Sequence, residues 1–132
     1  MRAVPLLAAL SLTLVAGSAQ AEGGESRKKG GGLSYTQFPT LTATVMRPNG
    51  RRGVLTVEAG IDTPDTGLKA RADVLEPRLR DAYVTVLATF AAGLTPGTPP
   101  NVDLLADRLQ QATDRVIGKP GSKLLIGTVL VN

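Results

Sequence analysis

The sequence predicts an α+β domain in the order β-β-α-α-β. A small sheet, made of a β-hairpin and a returning C-terminal strand, is packed by two antiparallel helices. Three observations predict it. The runs "TLTATVM" (40–46) and "VLTVEAGID" (54–62) alternate apolar and polar residues with a period of two. Residues 68–92 and 102–116 instead repeat apolar side chains at spacings of three and four. The closing run "SKLLIGTVLVN" (122–132) is short, almost wholly apolar and rich in branched side chains.

Taken in chain order, "MRAVPLLAALSLTLVAGSAQAEGG" reads as a secretory leader over 1–21. Arg2 supplies the positive start, Val4 to Ala16 the apolar stretch, and Ala19-Gln20-Ala21 a small-x-small cleavage site. The apolar stretch is shorter than the roughly 20 residues that a bilayer core requires, which favours cleavage over an uncleaved anchor. Either outcome exports the body of the chain, because the positive end stays inside. The chain contains no cysteine, so lipoprotein anchoring and disulfide stapling are both excluded. "EGGESRKKGGG", within a linker over 22–34, is a charged glycine tether with nothing to bury.

A folded unit is expected over 35–132. Leu41, Ala43 and Val45 face one way in the first strand. Leu55, Val57, Ala59 and Ile61 do so in the second, with Thr56 and Glu58 opposite. Pro48-Asn49-Gly50 between them marks the hairpin, and Arg47, Arg51 and Arg52 crowd its tip. Asp65 or Thr66 is placed to cap the first helix, whose stripe is Leu68, Ala72, Leu75, Leu79, Ala82, Val86 and Phe90, widened by Tyr83 and Leu87. Pro77 removes a backbone donor in mid-helix and should kink it or begin a second segment. Gly93 ends it, and "LTPGTPP" forms a stiff connection. Asn101 caps the next helix, with Val102, Leu105, Leu109, Ala112 and Val116 on its buried face, and "GKPG" stops it. The closing strand reads as covered on both faces, or nearly so.

Composition narrows the chemistry. With no histidine and no cysteine, Ser-His and Cys-His nucleophilic pairs, histidine acid–base catalysis and most transition-metal sites are ruled out. Asp73, Glu76 and Asp81 fall among Arg71, Arg78 and Arg80 in a helical segment, which predicts ordinary surface pairing. Asp103, Asp107 and Asp114 are read the same way, and Asp62 and Asp65 lack the ligand count of a calcium loop. "GKPGSK" lacks the spacing of a phosphate loop. The formal net charge of +4 is mild, and the two tyrosines and two phenylalanines provide no stacking platform for nucleic acid. The expectation is a non-enzymatic protein that needs no cofactor, metal, nucleic acid or small-molecule substrate. The hairpin arginines Arg47, Arg51 and Arg52 and both helix surfaces are its candidate contacts; the alternative for the arginines is a solvated tip that only keeps the hairpin soluble.

The segments "YTQFPTLTATV", "LEPRLRDAYVTVLATF", "VDLLADRLQQATDRVI" and "LLIGTVLV" stand in an order that resembles the periplasmic domain of the flagellar basal-body-associated FliL family. Arg80-Asp81 followed by "AYVTVL" occupies the place of that family's arginine-aspartate pair and aliphatic stretch. The resemblance implies a stomatin-like fold, a periplasmic location close to the membrane, self-association into rings, and partners in the flagellar stator or elsewhere in the envelope. An envelope-associated binding protein with no flagellar role is the alternative expectation.

Overall fold

The computed structural model describes residues 32–132. The leader and most of the glycine tether lie outside the described residues. Four strands, β1 (Tyr35–Gln37), β2 (Leu41–Met46), β3 (Arg52–Asp62) and β4 (Lys123–Val131), form one antiparallel sheet, with helices α1 (Thr66–Val74), α2 (Glu76–Ala92) and α3 (Val102–Ile117) on one face. The α+β architecture is the one that the periodicities predict. Strand β3 is central. Both β1 and β2 pair with one side of it, Tyr35 opposite Asp62 and Leu41 opposite Val57, and β4 pairs with the other, Leu55 opposite Val131 and Ile61 opposite Leu124.

Two refinements concern element count. The first strand is broken at Phe38-Pro39-Thr40, where the register against β3 slips by one residue, so the sheet gains the short β1. Proline cannot donate to a ladder, and Phe38 uses the break to turn its ring into the core. Likewise the long helix is two helices. Leu75 ends α1 and opens α2, and Pro77 stands in the first turn of α2, where its missing donor costs least.

Capping agrees with the sequence reading. The Asp65 carboxylate accepts from the Leu68 amide at 2.7 Å, and the Asn101 side chain accepts from the Leu104 amide at 3.0 Å. Gly118, at φ 93°, closes α3 in the left-handed conformation that glycine adopts without strain.

The core lies between the helices and the inner face of the sheet. Leu41, Val45, Leu55, Val57, Ala59 and Ile61 are buried there as the alternation requires. On α2 the buried line is Leu79, Tyr83, Leu87 and Phe90, with Ala82 and Val86 only partly covered, so the stripe centres on the residues that sequence reading had placed at its margin. On α3, Leu105, Leu109 and Ala112 are buried as expected and Thr113 and Ile117 join them; Val102, assigned to that face, is exposed in the first turn.

Tyr83 organises the centre. Its ring meets Phe38 edge to face, with centroids 5.0 Å apart at 84°. Its hydroxyl donates to Thr113 Oγ1 at 2.6 Å, because that oxygen spends its own proton on the Leu109 carbonyl at 2.8 Å. Burial pushes the Tyr83 phenol up from 10.0 to about 12; the Thr113 bond pulls the other way and the Asp114 carboxylate adds to the rise. The unfolded phenol ionises near its ordinary value while the folded one holds its proton. Stability from this group is therefore present below pH 10 and lost as pH climbs towards 12, on the order of 2 kcal/mol in all. Chemical denaturation at stepped alkaline pH should show that loss, and Tyr83→Phe should flatten it.

The reading of the closing strand needs correction. β4 is not covered on both faces. Leu124 is buried and Ile126 and Val129 are half-buried, but Leu125, Leu130 and Val131 are exposed. It is an edge strand whose outer side chains, Leu125 and Leu130, lie on an open sheet face.

Candidate interaction surface

The hairpin tip folds as its sequence dictates. The Gly50 amide donates to the Arg47 carbonyl at 2.9 Å and the Arg47 amide to the Arg51 carbonyl at 2.8 Å, so Pro48-Asn49-Gly50 is a three-residue loop. Proline presets the second position, and Gly50 takes the left-handed φ of 75° that closes the turn. The Asn49 side chain accepts from the Arg51 amide at 3.0 Å. This rigid tip does not gather its three arginines into one surface. Arg47 lies back over Gly53, where an added Cβ would stand 3.0 Å from its Nε. Arg51 closes the loop, and Arg52 belongs to β3, opposite Met46. All three side chains are exposed. Arg47 also lines a shallow groove of about 360 Å³ with Met46, Pro48, Pro99, Pro100 and Asn132.

Of the carboxylates expected to pair at the helix surface, Asp73 does so at i to i+4 among the described residues, with Lys69 rather than with a neighbouring arginine. Arg71 instead reaches across to donate to the Ile117 carbonyl at 2.6 Å, where it satisfies the end of α3. Asp62 accepts from the Ser34 hydroxyl at 2.6 Å and the Tyr35 amide donates to the Gly32 carbonyl at 3.1 Å, so contacts among the described residues extend ahead of Tyr35. Asp73, Glu76 and Asp81 line an open concavity of about 700 Å³ with Pro39, Pro77 and Arg80, where α1 meets α2.

The feature that sequence reading missed is the sheet face turned away from the helices. Thr42, Thr44 and Met46 of β2, Val54, Thr56 and Glu58 of β3, and Leu125 and Leu130 of β4 all point to that side. Met46 is 52% exposed, Val54 45% and Leu130 51%. Val54 was the available signal: it breaks the alternation of its strand by standing beside buried Leu55. Large apolar side chains gathered on one open face mark contact sites more often than singly scattered ones do. Tyr35 partly screens the far end of this face, lying so close over Gly60 that any side chain there would displace it.

The same face ends at a strand edge. Val54 and Asn132 exchange both backbone bonds, at 2.8 and 3.0 Å, so alternate residues of β4 bond to β3. The alternation leaves Leu124, Ile126, Val129 and Val131 directing their backbone groups away from the sheet. A bulge at Gly127-Thr128, opposite Glu58, keeps this phase on both halves of the strand. Gln110 fills only the beginning of the edge: its Oε1 accepts from the Leu124 amide at 2.8 Å and its Nε2 donates to the Ser122 carbonyl at 2.8 Å.

No family model matches this chain, and no curated protein matches it. Among the described residues no helix is long and apolar enough to cross a membrane.

Proposed function

We propose that this chain is a non-enzymatic scaffold of the cell envelope. It is a FliL-like periplasmic module that binds copies of itself or a flagellar basal-body or stator protein. The observation that carries the reading is the open sheet face with its half-exposed Met46, Val54 and Leu130, and with Arg52, opposite Met46, at its rim. Such a surface suits contact with another protein: apolar residues supply the attraction, and charges at the rim orient the partner. The leader at the start of the sequence and the order of the segments resembling the FliL family support the location and the role.

The small-x-small site at Ala19-Gln20-Ala21 favours a second reading, in which the cleaved protein is a free envelope-associated binding protein with no flagellar role. Co-purification from intact cell membranes distinguishes the two. A motor protein recovered with the chain, and lost on charge reversal at Arg47, Arg51 and Arg52, is the expected outcome. Recovery of only non-motor envelope proteins, with normal swimming in a deletion strain, would leave the second reading alone.

A further inference from the structure

The geometry points to the free edge of β4 as the site where a second copy of this chain adds, strand to strand and antiparallel, about a two-fold axis at the Gly127-Thr128 bulge. The inference deepens the scaffold reading and rests on it for the expectation of self-association.

One register makes the strand complementary to itself over its whole length. With the bulges of two copies facing each other, Ile126 lies opposite the mate's Val129, Leu125 opposite Leu130, and Leu124 opposite Val131. Every such pair has both members on the same face, because the extra residue at 127–128 offsets the odd separation of three, five or seven residues between them. The hydrogen-bonding phase agrees. Ile126 and Val129 both direct their amides and carbonyls outward, so they can exchange both bonds with the mate. Leu125 and Leu130 are bonded inward to β3 and would meet at the closer, non-hydrogen-bonded positions, which joins the two open faces through a strip of leucines.

Charge selects the direction. Lys123 is the strand's only charged residue, and it stands at one end. Antiparallel pairing puts the two lysines at opposite ends of the ladder, whereas parallel pairing would set them side by side.

The opposite edge cannot serve in the same way. It is broken between β1 and β2 at Phe38-Pro39-Thr40, and Pro39 has no donor. One competent edge per copy gives a closed pair, not a growing sheet.

The test uses the full chain. Light scattering across a dilution series should show a reversible dimer. Val129→Pro removes an outward amide that bonds to nothing among the described residues of the single copy, and it should weaken association by about tenfold or more. Leu130→Glu, which keeps the backbone intact and sets a charge against the mate's Leu125, should weaken it as well. The chain has no cysteine, so register can be read directly. Leu125→Cys protein mixed with Leu130→Cys protein should cross-link under oxidation far more than either alone.

A monomer at every concentration, association unaffected by both edge variants, or equal cross-linking in the mixed and separate samples would overturn the proposal. A monomer whose outward β4 amides are nonetheless protected would assign the edge to another strand. Each of these results leaves the co-purification test of the scaffold reading standing, and a failure of that test leaves the edge result standing.

Discussion

Tyr83→Ala is expected to lower the unfolding free energy by about 3–5 kcal/mol, a large fraction of the roughly 5–15 kcal/mol that a domain of this size holds. The side chain is fully buried, it is the aromatic partner of Phe38, and it bridges α2 to α3 through Thr113. Removing it opens a cavity at the point where both helices and the broken first strand converge. Smaller changes at the same place should separate the contributions. Tyr83→Phe keeps the ring and leaves Thr113 still donating to Leu109, so it should cost about 1 kcal/mol. Thr113→Val leaves the phenol without an acceptor in a dry site and should cost more, about 1–3 kcal/mol. Urea titration of the series checks the order. Equal losses for the two conservative variants would mean that the hydroxyl chain is not formed.

Val57→Pro is the second large effect. Val57 is fully buried at the middle of the central strand, opposite Leu41 on one side and Val129 on the other. Its backbone phase directs the amide towards β2, so proline there removes a ladder bond, strands a buried carbonyl and forces φ away from its strand value. The expected loss is about 3 kcal/mol or more, a large fraction of the roughly 5–15 kcal/mol that holds such a domain folded. Val129→Pro, one strand over and pointing the other way, should cost only about 1 kcal/mol because no bond among the described residues of the single copy is lost. Circular dichroism on thermal unfolding compares them. Similar losses would contradict the placement of β3 at the centre and β4 at the edge.

The contrast between these two valines shows where the sequence could be read and where it could not. Alternation is a property of one strand and its buried face, so the inward residues of β2 and β3 were legible, as were the Asp65 and Asn101 caps and the interruption at Pro77. Neighbour relations are not local. Nothing within "SKLLIGTVLVN" says whether a covering layer lies over one face or both, and an edge strand with an apolar outer side has the composition of a buried one. The register slip at Phe38-Pro39-Thr40 depends on where β3 runs, which no local pattern encodes. For the candidate surface, the arginines were visible because charge next to a turn signal stands out. Their divergence was not, since it depends on the three-residue loop and on Arg47 folding back over Gly53. The more apolar surface beside them escaped notice because its members come from three strands.

The central claim is that the molecule works by contact through an open sheet that ends in an unfilled edge. Amide hydrogen exchange, tracked residue by residue over a range of protein concentrations, tests it most directly. In dilute solution Ile126, Val129 and Val131 should exchange quickly, Leu124 should be held back by Gln110, and the amides of β3 should be slowest. On concentration the three fast amides should become protected. Slow exchange at these positions in dilute monomer, or fast exchange at every concentration, would contradict the account.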